Sequence, residues 1–267
     1  MYIDITTKDE LLAHESDIKE LFLASFGKNI SSDDWKWLYI DNPSGPAHVS
    51  LFYDNNQLLG HYAVVPTLLK FKGETFIAYR SMTTMVHPDG RGRGLFLDLA
   101  NRVYAALQDK NVSLVYGFPN KNVADARSKY LKWTLAESDK IVDLQGSEIL
   151  SDTELCEVLT ARADIEWDSD EAKQAEWRVS KPNTRFICKP GFVAKLYEDA
   201  FNILHLNKEG LAHIEHDKKY RLLVPAAFKS EIMQERAVFN YQFGYRIFDE
   251  KFNGAKIRTE LIMSDVF

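Results

Sequence analysis

The sequence lacks the features that mark several protein classes. It has only two cysteines in 267 residues, Cys156 and Cys188, and they do not form a CxxC motif. Neither a disulfide framework nor a cysteine-based metal site is therefore expected, and a reducing cytosol is the expected compartment. No apolar run approaches the length that spans a bilayer. The first ten residues, MYIDITTKDE, do not resemble a secretory signal. We expect a cytoplasmic protein that does not bind membranes.

The sequence also lacks a strong excess of positive or negative charge. The chain carries 33 Lys and Arg against 39 Asp and Glu, a formal net charge of −6. A negative balance argues against broad nucleic-acid binding, which needs positive surface, and favours neutral or cationic substrates. Hydrophobic residues make up 45% of the chain and charged residues 27%. This composition is typical of a globular protein with one or two domains.

The main functional signal lies between Ser81 and Leu107. Residues 81–86 are apolar and β-branched, which predicts a buried strand, and Pro88 ends it. From Leu95 the apolar residues recur at helical spacing. A strand, a glycine-rich turn and a helix start together predict an anion site, because unpaired N–H groups and the helix dipole converge there.

The turn between them, HPDGRGRG, has the composition of a phosphate-binding loop. Gly92 and Gly94 allow the backbone to approach a ligand closely. Arg91 and Arg93 add charge that suits phosphate oxygens. A P-loop is excluded because no Lys-Ser/Thr pair follows the glycines, and the G-x-G-x-x-G dinucleotide pattern is absent as well. The expected ligand is a pyrophosphate.

The run VHPDGRGRGL resembles the acyl-coenzyme A loop of the GNAT acetyltransferase superfamily, [Q/R]-x-x-G-x-[G/A] after a strand ending V-x-P. Residues 91–95 match that pattern in order, whereas Phe96 stands where the family prefers Gly or Ala. The resemblance implies acetyl-coenzyme A, or another acyl-coenzyme A, as co-substrate and no metal. The residues that it implies at the coenzyme are Met85, Val86, His87, Arg91, Gly92, Arg93, Gly94, Leu95, Phe96 and Asn122.

The predicted order of elements agrees with that fold. Periodicity and turn signals predict strands at 2–6, 48–53, 57–69, 75–86, 112–116 and 138–144, and helices at 7–26, 32–39, 95–107 and 122–133. The order β-α-α-β-β-β-α-β-α-β is that of the GNAT fold, an α/β fold with a mixed sheet. In that family the fourth and fifth strands splay apart. The pantetheine arm of the coenzyme then pairs with free backbone groups of the fourth strand, here expected at Met85 and Val86.

The sequence changes character after Gly146, which predicts two domains, an acyl-coenzyme A-binding domain at 1–146 and a smaller α+β lobe at 147–267. Trp177-Arg178 followed by Lys181-Pro182 resembles Trp35-Lys36-Trp37 followed by Asn42-Pro43. This likeness favours a degenerate GNAT-like lobe without an RGRG loop, and an unrelated α+β lobe stays open. In it we expect strands at 185–189, 192–206, 220–226, 245–248 and 256–263, and a helix at 230–241.

The candidates for acid–base chemistry are few. The family often places a carboxylate on the fourth strand, but that position is Arg80 here, which cannot act as a base. His61 is the best-placed titratable group, with a hydrogen-bonded structural histidine as the alternative. His213 and His216 have no third ligand nearby, so no metal site is assigned.

The family's proton donor is a tyrosine in a pattern like N-x-x-A-x-x-x-Y-x-x-x-G-F. Asn122, Ala126 and Tyr130 resemble it with one extra residue, but Trp133-Thr134 replaces the G-F. That shift leaves open whether Tyr130 points into the core. Tyr116, at the end of the fifth strand, is the second candidate.

These observations favour transfer of an acyl group, most simply acetyl, from coenzyme A to an amine of a small molecule in a ternary complex. The alternative is a non-catalytic acyl-coenzyme A-binding or sensing protein, and a third option is aminoacyl transfer from charged tRNA. The acidic charge and the intact loop weigh against tRNA. No nucleic-acid or membrane partner is expected, and a homodimer is left open.

Overall fold

The computed structural model describes residues 1–264, except the side chains of residues 231 and 232, and consists of two mixed β-sheets with helices on their faces. The nine helices of this part of the chain are α1 Lys8–Leu12, α2 Glu15–Phe26, α3 Ser32–Tyr39, α4 Leu95–Asp109, α5 Lys121–Leu131, α6 Gly146–Ser151, α7 Thr153–Leu159, α8 Ala172–Val179 and α9 Glu231–Glu235. None of these helices has both the length and the apolar character needed to cross a bilayer.

The first sheet has eight strands in the order β1-β2-β3-β4-β5-β14-β6, with β8 paired to β3. Its members are β1 Tyr2–Ile5, β2 His48–Asp54, β3 Gln57–Phe71, β4 Glu74–Val86, β5 Leu114–Gly117, β6 Thr134–Leu135, β8 Ile165–Trp167 and β14 Gly244–Ile247. Alternate residues of β3 face opposite sides: Tyr62 and Val64 pack with α4, whereas Ala63 and Val65 pack with the helices α1–α3.

The second sheet has six strands in the order β13-β7-β12-β11-β10-β9. Its members are β7 Asp139–Gln145, β9 Phe186–Lys189, β10 Phe192–Tyr197, β11 Ala200–Leu206, β12 Lys219–Val224 and β13 Ala237–Tyr241. A shared apolar cluster joins the two sheets, with Tyr116 and Trp167 from the first and Ile141 and Leu204 from the second.

The sheets do not follow the order of the chain. Strand β7, predicted as the last strand of the first domain, pairs with β12 and β13 in the second sheet. Strand β14, from the end of the chain, lies between β5 and β6 of the first sheet. The division at 146/147 therefore stays a prediction about domains, and sheet membership crosses it in both directions.

Four predicted elements differ from the structure. The strand predicted at 192–206 is two antiparallel strands, β10 and β11, because the chain turns back at residues 198 and 199. The helix predicted at 7–26 is two helices that meet at Ala13 and His14, although the capping box of Thr7 and Glu10 and the left-handed Gly27 are both present. The helix predicted at 230–241 was wrong beyond Glu235, because residues 237–241 form a strand against β7. Long-range pairing of β-branched and aromatic residues prevails there over local helical periodicity.

The strand predicted at 256–263 was also wrong. Only Ile257 makes a single bridge, to Ile165, and Leu261–Met263 is a 3-10 turn. The guanidinium of Arg258 donates instead to the main-chain oxygens of Leu159 and Leu206. Together with the backbone bonds that Lys256 and Arg258 make to Ile165 of β8, these contacts fix the segment between the two sheets.

Candidate functional site

The glycine-rich loop leaves the end of β4 and leads directly into α4. Pro88–Gly90 forms a 3-10 turn, and the amide of His87 donates to the oxygen of Leu59 at 2.9 Å, which ties the loop to β3. Gly90 is buried, and a Cβ there would lie 3.2 Å from the same Leu59 oxygen. A side chain at this position would therefore push the loop away from β3.

The last part of the loop presents unpaired amides at the start of α4. Gly92 and Gly94 have φ values of +77° and +75°, and no atom lies within 4 Å of a Cβ built on either. Within residues 1–264, the amides of residues 92–96 have no hydrogen-bond partner, and the first bonded amide is that of Leu97, which donates to Gly94 at 3.0 Å. Five consecutive N–H groups are thus available to one ligand.

The charged side chains of the loop differ in whether they already have a bonding partner. Arg93 donates to Asp54 at 2.9 Å, and its guanidinium lies 5.2 Å from the ring centre of Phe52. Arg91 is exposed and has no ion-pair partner among the described residues. His87 caps the turn, since its Nδ1 accepts the amide of Asp89 at 3.2 Å. Arg91 is therefore the cation most available to an anion at this loop.

Strands β4 and β5 separate close to this loop. They pair at two positions only, Tyr79 with Val115 and Arg80 with Tyr116. A Cβ on Gly117 would lie 2.9 Å from the oxygen of Ser81, so the strands still touch at that point. Beyond it β4 continues to Val86 with β3 as its only neighbouring strand in the described chain. Met85 and Val86 lie in this splayed part.

A bulge changes the direction of β4 inside the splayed part. Ala63 pairs with Met82 and His61 with Met85, so Thr83 and Thr84 together face a single residue of β3. Thr83 has a φ of +43°, unusual for a β-branched residue. Its carbonyl accepts from Nδ1 of His61 at 2.9 Å, and its hydroxyl is hydrogen-bonded to that of Tyr39.

Helix α5 is tied to β4 across the gap by Arg127, which the sequence did not single out. The buried guanidinium donates through Nη2 to Ser81 at 3.0 Å and Thr84 at 3.2 Å. It also stacks 4.3 Å from the ring centre of Trp133. The only sequence signal was an arginine on the apolar face of α5, one turn after Ala124.

The predicted acid–base residues occupy different environments. His61 is fully buried, burial lowers its pKa to about 4, and Nε2 has no partner among the described residues. These features are those of the alternative, a hydrogen-bonded structural histidine, and a fully buried ring offers no open path to an amine.

Tyr130 is 54% exposed, and its hydroxyl has no hydrogen bond within residues 1–264. Asn122, in the first turn of α5, is exposed and donates its amide to Asn120.

Tyr116 and Arg80 lie at the point where the strands part. Both are buried, and both donate to the oxygen of Met263, at 3.4 Å in each case. The buried Arg178 donates to the oxygen of Ser264 at 2.9 Å. Burial, together with the nearby charges of Lys181 and Arg178, lowers the pKa of Lys195 to about 8. Several basic side chains therefore lie close together at this point.

A groove of about 390 Å³ opens beside Thr83. Phe22 and Phe26 of α2 and Trp37 of α3 form its apolar wall, and Lys181 contributes a charge from the second half of the chain. The groove thus adjoins the bulge of β4, on the face covered by α2 and α3. Within residues 1–264 no cluster of three or more His, Cys, Asp or Glu could hold a metal ion.

Comparison with known proteins gives a family for part of the chain and relatives that share its fold. Residues 12–129 match the family model of the acetyltransferase (GNAT) domain. A search of curated proteins gave no significant match.

Solved structures share the fold at low identity. A conserved protein of Enterococcus faecalis V583, a probable N-acyltransferase, is 12% identical with a TM-score of 0.65, over 94% of this chain and 74% of that one. A GCN5-related N-acetyltransferase from Kribbella flavida is 13% identical with a TM-score of 0.62, over 93% and 72%. Another from Anabaena variabilis is 12% identical with a TM-score of 0.56, over 92% and 73%. The family match therefore places a GNAT acetyltransferase domain at residues 12–129, and the whole chain shares its fold with these solved structures.

Proposed function

We infer that this protein transfers an acetyl or other short acyl group from acyl-coenzyme A to an amine of a small molecule. Two features at one end of β4 carry the inference. The gap between β4 and β5 opens there, and the unpaired amides that begin α4 lie at the same end. The coenzyme supplies the activated thioester, and the residues of the chain bind and orient the reactants.

The loop fits a pyrophosphate. The N–H groups of residues 92–96 are unpaired within residues 1–264 and lie at the positive end of the α4 dipole. Arg91 adds a charge that no described carboxylate neutralises. Such donors favour phosphate oxygens over a neutral ligand.

The splayed part of β4 fits an arm that carries amides. Backbone groups of an unpaired strand edge need partners, and ligand amides can supply them at Met85 and Val86. The bulge at Thr83 and the anchor at Arg127 hold this edge apart from β5 before any ligand arrives. A preformed site of this kind lowers the ordering cost of binding.

The groove beside Thr83 is the proposed acceptor site, and the lobe that supplies Lys181 helps to shape it. An amine seated there would approach the point where the strands part, next to the hydroxyl of Tyr116. We propose that Tyr116 or Tyr130 holds a proton for the departing thiolate, a role typically worth roughly 10²–10⁴-fold in rate. His61 would serve this site through the carbonyl of Thr83.

One observation favours the sensing alternative. The hydroxyl of Tyr130 contacts no described group, and the only histidine beside the bulge is buried and neutral at pH 7. A protein with this site could bind acyl-coenzyme A without turning it over.

A single experiment distinguishes the two functions. Acetyl-coenzyme A binding is measured by calorimetry, and thiol release is followed with a panel of amines, amino sugars and peptides. Binding with release for at least one acceptor supports the transferase. Binding without release for any acceptor supports the sensor, and absence of binding contradicts both.

A further inference from the structure

A second cavity lies between the two sheets, apart from the loop and the groove. It encloses about 600 Å³, a volume typical of small-molecule sites. Its walls are mostly apolar and include Ile203 of β11, Leu222 of β12 and Tyr245 of β14. None of the residues that line the groove beside Thr83 lines this cavity. The two sites can therefore be tested separately.

One end of the cavity holds a carboxylate without a cation. Asp139 begins β7, and its Oδ1 accepts the amide of Ala226 at 3.0 Å. No Lys or Arg within residues 1–264 forms an ion pair with it. Burial raises the pKa of this carboxyl to about 6. The hydrogen bond from Ala226 lowers the pKa, and the negative charge of Glu137 raises it further. At neutral pH the group is mostly ionised, and its charge is uncompensated.

The other end holds a carboxylate whose charge is already matched. Glu260 is fully buried, its Oε1 lies 2.9 Å from Nδ1 of His205, and the same oxygen lies 3.1 Å from Arg258. Burial alone would raise the pKa of Glu260, but His205 and Arg258 outweigh it and the pKa is lowered. His205 and Arg258 already contact Glu260, so Asp139 is the cavity carboxylate that has no ion-pair partner within residues 1–264.

The strand registers give the distance between the two ends. Asn202 of β11 pairs with Arg221 of β12, and Val224 of β12 pairs with Lys140 of β7. His205 and Asp139 therefore lie near the same end of the sheet, two strands apart, which corresponds to about 10 Å. The other charged side chains on the walls are Arg162, which pairs with Glu166, and the exposed Lys256. Asp139 is therefore the anion that can favour a positive group on a compact apolar molecule.

We propose that this cavity binds a small apolar molecule that carries an ammonium group, with the ammonium at Asp139 and the apolar body along β11 and β12. The proposal does not depend on acyl transfer. Asp139 supplies the charge preference, and the apolar walls supply most of the buried contact.

The test uses the full chain and two probes of similar shape and opposite charge, tryptamine and indole-3-acetate. Calorimetry should show tryptamine binding at least about 10-fold more tightly, because only the ammonium complements the half-buried carboxylate of Asp139. Asp139→Asn should remove this preference and keep the fold, since the asparagine oxygen can still accept the amide of Ala226. Ala227→Trp, an exposed substitution at the cavity mouth, should weaken both probes.

A control excludes the groove as the tryptamine site. Phe26→Ala alters the groove but not the cavity, so it should leave tryptamine affinity unchanged. Melting curves of all variants verify folding. A preference that survives Asp139→Asn in a folded protein, tryptamine affinity lost in Phe26→Ala, or no tryptamine binding at millimolar concentration would overturn the proposal.

Discussion

Trp37 and Trp177 exchange hydrogen bonds: the indole Nε1 of each donates to the main-chain oxygen of the other, at 2.8 Å in both directions. Their rings stack with centres 5.2 Å apart. A contact in which each partner makes the same bond is characteristic of two-fold related units. The two residues belong to the motifs whose likeness predicted a degenerate second lobe. The reciprocal contact joins α3 to α8 beside the proposed acceptor groove, and the degenerate second lobe stays a prediction.

The first prediction concerns the loop. Gly94→Asp should abolish coenzyme binding, because it places a carboxylate where the free amides meet a pyrophosphate. The left-handed φ adds a folding cost of roughly 1–2 kcal/mol. Gly73→Asp is the matched control, since Gly73 also has a positive φ and open space around it but lies in the turn between β3 and β4. Calorimetry should show lost affinity in the first variant only, and equal affinities in both would refute the assignment.

The second prediction concerns the proton donor. We place Tyr116 ahead of Tyr130 because it lies at the last paired position of β4 and β5. Tyr116→Phe should lower turnover by about 10²–10⁴-fold with coenzyme affinity unchanged. It should also cost about 1 kcal/mol of stability through the lost hydroxyl bond.

Tyr130→Phe is its counterpart. The exposed hydroxyl has no described partner, so the melting temperature should stay the same. Steady-state rates of both variants decide the assignment. A large loss of turnover in Tyr130→Phe with an active Tyr116→Phe would reverse our order of the two.

The third prediction concerns the point where the strands part. Gly117→Ala should destabilise the fold by about 1–3 kcal/mol, because the added Cβ meets a main-chain oxygen that cannot rotate away. Gly244→Ala, at the paired position on β14, is the control, since its first contact is the flexible side chain of Leu135. Denaturant unfolding should show a smaller loss of stability for Gly244→Ala than for Gly117→Ala. The reverse order would contradict the tight contact between Gly117 and the oxygen of Ser81.

The fourth prediction concerns pH. The pKa of Asp139 is about 6 in the folded chain, above the ordinary value of 3.8. Between pH 3.8 and about 6 the folded chain therefore holds a proton on Asp139 that the unfolded chain releases. The free energy of unfolding falls as the pH rises through this range. Asp139→Asn should match the parent at pH 4 or below and be more stable at pH 7 by about 1–3 kcal/mol. A stability difference that is the same at both pH values would exclude Asp139 as its source.

The fifth prediction concerns the acceptor. Phe26→Ala removes part of the apolar groove wall and should raise the KM for an amine acceptor while leaving coenzyme affinity unchanged. Lys8→Ala, on the exposed face of α1, is a control that should change neither quantity. An unchanged acceptor KM in Phe26→Ala would place the acceptor elsewhere.

Local sequence patterns were sufficient for the elements that local chemistry specifies. The apolar run of β3, the periodicity of α4, the capping box at Thr7 and the glycines that begin α4 all follow from short-range preferences. The anion loop could be predicted for the same reason, because its donors come from consecutive residues. Residues 86–95 carry its resemblance to the acyl-coenzyme A loop of the GNAT family.

Tertiary structure decided the rest, because the deciding partners are distant in sequence. The placement of β7 and β14 depends on pairings more than 70 residues apart, which leave no local pattern. Burial made His61 a weakly basic structural group, and the Arg127 anchor needs hydroxyls more than 40 residues away. The cavity at Asp139 likewise exists only where the two sheets meet. Sequence alone determined the chemistry of the loop, and the assembled sheets determined which side chains can work beside it.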